Sequence, residues 1–168
     1  MAEAFIGLGS NLSGESQGTH RDPKQQIHYA LKKISQHPEI TILGISSLYQ
    51  TTAIGPGNQP DYINAAAMIE TSLEPNVLLD FMQLIEHQQG RVREQRWGAR
   101  TLDLDLLIYD QLMKSTTRLT LPHPRAYERA FVLAPLADLD ADLIIPNYGK
   151  VTDLLANCSM QGIVRLSN

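Results

Sequence analysis

The sequence predicts an α+β domain in which helices pack on an antiparallel sheet, and three observations lead to this prediction. Strand and helix patterns follow one another in the order β-α-β-β-α-β over residues 4–109. Both helix patterns begin with a proline and carry apolar residues at helical spacing. The last strand pattern alternates apolar and acidic residues, as a sheet strand does. Two split βαβ units of this kind form a ferredoxin-like four-stranded sheet with both helices on one face.

The N-terminal patterns predict one strand, one loop and one helix. Residues 4–9 form an apolar run that ends in glycines, which indicates a strand entering a loop. Residues 11–23 are rich in Gly, Ser and polar side chains and predict an extended loop. Residues 23–37 predict a helix, because apolar residues recur at helical spacing and Pro38 prevents its continuation.

The middle of the chain predicts the remaining elements of the βαββαβ core. Residues 40–51 and 62–71 favour strands, and a loop rich in Gly and Pro separates them. Residues 74–89 predict a helix. Its expected apolar stripe consists of Val77, Leu78, Phe81, Leu84 and Ile85.

Beyond this helix, residues 91–101 are polar and predict a loop, and residues 102–109 carry the strongest strand pattern in the chain. Shorter elements follow. These are a turn at 122–124, a helix over 126–139 and a last helix over 151–157. They are expected as additions to the core rather than as a second domain.

Composition excludes several classes of protein. A chain of 168 residues with 43% hydrophobic and 19% charged residues is typical of one folded domain, which we expect to span residues 1–168. One cysteine excludes a disulfide framework. No apolar run approaches the ~20 residues of a membrane helix, so we expect a soluble, cytoplasmic protein. We also expect it to be a monomer.

The charge is distributed unevenly. The net charge is -4, which argues against a general nucleic-acid binder. Nevertheless, seven of the nine arginines lie between Arg91 and Arg129. A basic patch on an acidic chain favours a bounded anionic ligand such as a polyphosphate, although a solvated basic face is the plainer alternative.

The strand over 102–109 contains a carboxylate pair. Asp103 and Asp105 are two residues apart, so both point to the same face of the sheet, about 7 Å from each other. At an effective dielectric constant of 20 they repel by roughly 2 kcal/mol, so a cation is expected between them and a ligand. Oxygen donors suit Mg²⁺ shared with phosphate oxygens. With arginines on both sides, the pattern indicates phosphoryl transfer, and the chain contains no P-loop motif.

Residues 96–107, which read RWGARTLDLDLL, resemble the signature of the 6-hydroxymethyl-7,8-dihydropterin pyrophosphokinase family. Further landmarks of that family occur in the same order along the chain. They are GLGSNL at 7–12, SSLY at 46–49, GP at 55–56, QPDYINA at 59–65, IE at 85–86, GRVR at 90–93, LPH at 121–123 and RAF at 129–131.

The resemblance implies transfer of the β,γ-pyrophosphoryl group of ATP to the hydroxymethyl oxygen of the dihydropterin, with release of AMP, in folate biosynthesis. It implies that Asp103 and Asp105 hold two Mg²⁺ ions on the triphosphate and that Arg91 and Arg100 close on the phosphates. It places a larger set of residues around ATP, namely Gln83, Glu86, Arg93, Trp97, Arg100, Leu106, Arg118, Thr120, His123 and Arg129.

The same resemblance implies a pocket for the flat, polar pterin ring, formed by Thr51, Ile54, Gly55, Tyr62, Asn64, Trp97 and Phe131. Aromatic rings would stack on the faces of the pterin, and amide and backbone groups would bind its edges. No residue is assigned as a general base. The partners expected are the two small substrates, with no nucleic acid and no membrane. Two other functions stay open: a nucleotide-binding module without turnover, and a metal enzyme acting on nucleotide sugars.

Overall fold

The computed structural model describes residues 1–11, 14–16, 19–52, 61–89 and 102–166. The strands of this part are, in chain order, β1 (Ala2–Ser10), β2 (Gly14–Ser16), β3 (Thr19–Arg21), β4 (Ile40–Ile45), β5 (Tyr49–Thr51), β6 (Tyr62–Thr71), β7 (Asp103–Tyr109), β8 (Lys114–Ser115), β9 (Thr120–Leu121), β10 (Ile144–Ile145), β11 (Gly149–Lys150) and β12 (Ile163–Arg165). Its helices are α1 (Pro23–Ser35), α2 (Pro75–Gln88), α3 (Ala130–Leu139) and α4 (Val151–Ala156), with a short 3₁₀ helix at Ala126–Glu128. Among these helices, none has both the length and the apolar character that a bilayer span requires.

A six-stranded antiparallel sheet forms the centre of the fold. Its strand order is β12-β5-β6-β1-β7, and β4 also pairs with β6. The predicted α+β class with a ferredoxin-like core is confirmed, with β1 and β6 as the two central strands. Strand β12 is an additional edge strand, paired with β5, that the sequence patterns did not predict.

The alternation of side chains along β1 separates two hydrophobic cores. Ala4, Ile6 and Leu8 point to one face of the sheet, where they pack with residues of α1 and α2. Phe5 points to the other face, where α3 and α4 pack. The two helices of the core therefore share one face, as predicted, and the C-terminal helices cover part of the opposite face. The rest of that opposite face is left open for a cavity.

Helix α1 begins where the sequence predicts, and its local interactions explain why. The Asp22 side chain accepts a hydrogen bond from the Gln25 backbone N–H, and the Gln25 side chain accepts one from the Asp22 backbone N–H. This capping box satisfies two backbone donors that the first turn leaves without partners. Pro23 is at the first helical position, where its missing N–H costs nothing.

The predicted apolar stripe of α2 is partly wrong. Leu78 and Ile85 are buried, but Val77 and Leu84 are 47% and 53% exposed. The helix instead buries Leu79, Met82 and Glu86. The buried face is therefore rotated from the predicted one, because the sheet selects which side of a largely apolar helix it covers.

Three other segments differ from their predictions. Residues 11–23, predicted as a loop, contain the antiparallel strands β2 and β3. Residues 40–51 form two strands, β4 and β5, and both pair with β6. The helix predicted over 126–139 is divided, because Arg129 has an extended backbone between the 3₁₀ helix and α3. This last difference affects the site, as described below.

Candidate active site

A cavity of about 830 Å³ lies on the open face of the sheet. The middle strands form its floor, the first turn of α3 forms one wall, and the turn before β12 forms another. Seven of the residues predicted from the sequence line it together. They are Thr51, Tyr62, Asn64, Asp103, Asp105, Arg129 and Phe131.

Two glycines of β1 keep the floor of this cavity open. A Cβ atom at Gly9 would lie 3.0 Å from Oδ1 of Asn64, and one at Gly7 would lie 3.3 Å from Cδ1 of Leu107. Both glycines line the cavity. Glycine inside a strand often marks such a close approach. The Gly7-Leu-Gly9 sequence, too short for a dinucleotide fingerprint, therefore has a packing role here.

The carboxylate pair lies beside these glycines. In the pairing of β1 with β7, Asp103 is opposite Gly9 and Asp105 is opposite Gly7. Both aspartates are half-buried, while Leu104 between them is buried on the other face. The predicted orientation of the pair toward one face is confirmed. Because the facing residues are glycines, the carboxylates have room for a ligand above the sheet.

The donor set fits magnesium. Within the described part of the chain, no three His, Cys, Asp or Glu side chains are placed to hold a metal ion by themselves. Mg²⁺ does not need such a cage, because it keeps several waters and shares other positions with substrate phosphates. Asp103 and Asp105, half-buried and on one face of a cavity, are the residues that would hold it.

A buried carboxylate beneath the pair fixes the start of β7. The Oε2 atom of Glu86 accepts a hydrogen bond of 2.8 Å from the backbone N–H of Leu104, the residue between the two aspartates. Glu86 is only 3% exposed. Its position on α2 therefore ties the helix to the strand segment that carries both aspartates.

Replacement of Glu86 by alanine is expected to destabilise the fold by about 1–3 kcal/mol, because the buried N–H of Leu104 would lose its partner. Glu86→Gln keeps an acceptor oxygen and should lose less. Urea unfolding of both variants measures the difference, with Glu70→Ala, at an exposed residue of β6, as the control. Equal stability of Glu86→Ala and the wild type would contradict this role for Glu86.

A histidine ring lies close to the aspartates. The backbone N–H of His123 donates to the carbonyl of Leu107, which brings the ring to β7. Its Nδ1 accepts a hydrogen bond from the backbone N–H of Arg125, and its Nε2 is 4.0 Å from a carboxylate oxygen of Asp105. Burial, and then the nearby charge of Arg129, lower the pKa of His123. The ring is therefore neutral at pH 7, with its remaining N–H on Nε2.

The break between the 3₁₀ helix and α3 places Arg129 in the cavity. Arg129 precedes the first turn of α3 with an extended backbone, and its guanidinium lies 5.7 Å from the centre of the Phe131 ring. Burial, and then the charge of Arg125, lower the pKa of Arg129. A guanidinium nevertheless stays charged at neutral pH. The N-terminus of α3 adds partial positive charge at the same point.

An amide on β6, two strands from the aspartates, and two aromatic rings also line the cavity. The Asn64 side-chain amide donates a 2.9 Å hydrogen bond to the hydroxyl of Thr51. The two rings are those of Tyr62 and Phe131. A cavity with aromatic walls and a fixed amide suits a flat, polar ring.

Comparison with known proteins identifies the family. A model of the 7,8-dihydro-6-hydroxymethylpterin-pyrophosphokinase (HPPK) family matches residues 5–141. The chain belongs to this family. The resemblance of the sequence motifs to this family is confirmed, and the matched region runs from within β1 to just beyond α3.

Curated HPPK relatives match the chain over nearly its whole length. The protein named 2-amino-4-hydroxy-6-hydroxymethyldihydropteridine pyrophosphokinase in Haemophilus influenzae is 44% identical over 167 residues, which cover 99% of both chains. The protein of the same name in Pseudomonas aeruginosa is 43% identical, with 96% of this chain and 95% of its own chain covered.

Solved structures agree on the HPPK fold. An HPPK-DHPS chain in complex with substrates superposes with a TM-score of 0.67 at 10% identity and covers 92% of this chain. HPPK-DHPS from Plasmodium falciparum gives 0.66 at 12% identity, again over 92%. This chain spans less than half of those longer chains, 43% and 44%.

Several residues that the HPPK resemblance assigns to ATP lie outside the cavity. Leu106 is buried in the core under α1 and α2, and Arg118 pairs with the exposed Asp80 of α2. Gln83 is exposed on α2, and Thr120 is half-buried in β9. Six other predicted site residues are outside the described part of the chain. They are Ile54, Gly55, Arg91, Arg93, Trp97 and Arg100.

The cavity has further lining residues that the sequence analysis did not assign. Arg125 and Glu128 line the cavity as an ion pair of 2.9 Å. Arg125 is one of the seven clustered arginines, so its charge was a usable signal. The turn before β12 also lines the cavity, with Ser159 and Gln161. No local pattern predicts this contact, because it depends on the pairing of distant strands.

Proposed function

We propose that this cavity is the active site for transfer of pyrophosphate from ATP to the hydroxymethyl group of 6-hydroxymethyl-7,8-dihydropterin, in folate biosynthesis. In this reaction the hydroxymethyl oxygen bonds to the β-phosphorus of ATP and its proton is released to solvent. The bond from that phosphorus to the α-phosphate oxygen breaks, and AMP leaves. The observation that carries the proposal is a single cavity lined both by the carboxylate pair of β7 and by an amide and two aromatic rings.

Asp103 and Asp105 would hold Mg²⁺ between the sheet and the triphosphate. Two ions are proposed, because about four negative charges on ATP and two on the aspartates need comparable positive charge. When bound, magnesium neutralises phosphate charge and lowers the pKa of a coordinated hydroxyl. The glycines opposite the aspartates leave space for the ligand.

Arg129 and the first turn of α3 would bind phosphate oxygens from the side opposite β7. A guanidinium binds two phosphate oxygens with two parallel hydrogen bonds, which orients the phosphate and also offsets its negative charge. Phosphoryl transfer depends mainly on such positioning and charge neutralisation. Arg91 and Arg100 are proposed to complete this set.

Tyr62, Phe131 and Asn64 would bind the pterin. The two rings offer faces for stacking, and the hydrogen bond to Thr51 fixes which way the Asn64 amide points. Since Nδ2 of Asn64 donates to Thr51, its Oδ1 stays on the side of Gly9. An amide held in this way can favour a pterin over a ring of the same shape whose edge has a different arrangement of hydrogen-bond donors and acceptors.

The test is an assay of the purified protein for AMP. We expect AMP formation that requires ATP, Mg²⁺ and the hydroxymethyldihydropterin together. Formation of ADP instead would contradict pyrophosphoryl transfer. Binding of ATP with no AMP under any condition would indicate a nucleotide-binding module without turnover.

The proposal includes the organisation of the protein. Residues 1–168 would form one catalytic domain that acts as a cytoplasmic monomer on its two small substrates. In support, residues from Gly7 to Ile163 of one chain line the cavity, so no second copy is needed to complete the described walls. Size-exclusion chromatography with light scattering would measure the oligomeric state.

Replacement of Gly9 by alanine is expected to raise the KM for the pterin by roughly ten-fold, because the methyl group would displace the Asn64 amide from its position. Gly44→Ala is the matched control, since Gly44 is also in the sheet but faces Leu139 outside the cavity. Steady-state kinetics with each substrate varied would check this. An unchanged KM for the pterin would remove Asn64 from the proposed pocket.

A further inference from the structure

The C-terminal turn and β12 form a wall of the cavity. Ser159, Gln161, Gly162 and Ile163 all line it. These residues lie beyond the region matched by the HPPK family model, which ends at residue 141. The Ser159 hydroxyl accepts a hydrogen bond from the backbone N–H of Gln161, so this turn is locally ordered. The Gln161 side-chain amide has no hydrogen-bond partner among the described residues and is available to a ligand.

Side-chain contacts with neighbouring elements hold β12 in place. The Nε of Arg165 donates to the Ser47 hydroxyl, and its guanidinium lies 3.7 Å from the Asp138 carboxylate of α3. Tyr49 donates its hydroxyl hydrogen to the same carboxylate at 2.8 Å. Burial, and then this hydrogen bond, raise the pKa of Tyr49 to about 12, so the phenol keeps its proton. Strand β12 is therefore fixed to both β5 and α3.

Gly162 connects this wall to the end of β5. Its carbonyl accepts the backbone N–H of Thr52 at 3.0 Å. Its φ is +80°, and a Cβ atom there would lie 3.1 Å from the Thr52 hydroxyl. A side chain is disfavoured at this position by both the backbone and the neighbour. Thr52 follows Thr51, whose hydroxyl accepts the hydrogen bond from the Asn64 amide. Through Thr52, Gly162 therefore helps to position Thr51 and the Asn64 amide.

The strand order places this wall at the end of the cavity away from the aspartates. Strand β12 is four strand spacings from β7, or about 19 Å. If the hydroxymethyl group reacts near Asp103 and Asp105, the ring extends toward β5 and β12. The wall therefore faces the part of the pterin farthest from the hydroxymethyl group, not the phosphates.

We propose that the C-terminal turn and β12 determine affinity and selectivity for the pterin, with Gln161 as a polar contact to the ring edge farthest from the hydroxymethyl group and Gly162 as a positioning residue for Thr51 and Thr52. This inference rests on the proposed function, since it names further residues of the same substrate site.

The first test is Gln161→Ala, at an exposed position where loss of folding is not expected. Loss of one hydrogen bond should raise the KM for the pterin about three- to ten-fold and leave kcat and the KM for ATP unchanged. The matched control is Gln36→Ala, at an exposed residue after α1. Equal changes in both KM values, or no change, would overturn the role of Gln161.

The second test compares two glycines with positive φ. Gly162→Ala should raise the KM for the pterin selectively. Gly149→Ala, with φ of +116° and no atom within 4 Å of the added Cβ, should cost stability without this selective effect. Wild-type AMP formation is measured first. If the wild type forms no AMP, the proposed function is refuted. If the wild type turns over normally and Gln161→Ala and Gly162→Ala have the wild-type KM for the pterin, only the role of the C-terminal wall is refuted.

Discussion

Asp103→Asn and Asp105→Asn are each expected to lower kcat by roughly 10³-fold, the largest effect of any single substitution considered for this protein. Each removes one of two carboxylates that would hold magnesium on the triphosphate, and metal charge stabilisation contributes several kcal/mol to such a transition state. Quenched-flow or steady-state measurement of AMP formation at saturating Mg²⁺ would check the loss.

The same variants should still fold, because an asparagine has nearly the same size and shape as an aspartate and keeps the packing of β7. Asp142→Asn removes the same charge from an exposed pair with Lys150 outside the cavity and should leave kcat unchanged. Full turnover in either active-site variant would exclude the aspartates as metal ligands.

Arg129→Ala is expected to lower kcat/KM by about 10²-fold, since one charged donor to the transferring group contributes a factor of this size. Arg129→Lys should recover only part of the loss, because an ammonium cannot form two parallel hydrogen bonds to phosphate oxygens. Steady-state kinetics with ATP varied would measure both variants.

The control for the Arg129 variants is a substitution of Arg21, an arginine that also packs against an aromatic ring. Arg21 lies 4.0 Å from the centre of the Tyr29 ring and does not line the cavity. Arg21→Ala should therefore retain normal kcat/KM. Full activity of Arg129→Lys together with a large loss in Arg129→Ala would indicate that charge alone, not a paired hydrogen bond, is required at this position.

Local patterns predicted the elements whose causes are local. Strand β6 and the proline-started helices α1 and α2 have the expected positions, because side-chain period and capping residues are properties of neighbouring residues. The two aspartates point to one face for the same reason. The family resemblance depends on such motifs, and seven of the residues that it assigns line one cavity of the structure.

The sequence patterns gave wrong predictions where the same pattern is compatible with more than one packing arrangement. Helix α2 is apolar enough that its sequence allows several buried faces, and the sheet selected the one with Leu79 and Met82. The helix over 126–139 has helical periodicity on both sides of Arg129, but the chain breaks there and places this residue in the cavity.

By itself, the sequence determined the class of the fold, the face of β7 that carries Asp103 and Asp105, and the concentration of arginines near them. Only the tertiary structure decided that Glu86 bonds the backbone of Leu104, that Gly9 lies against Asn64, and that β12 closes the cavity beside Thr51. The physical reason is separation along the chain. Side-chain period and capping act over a few residues, whereas strand partners more than a hundred residues apart are selected by burial and register in the assembled sheet.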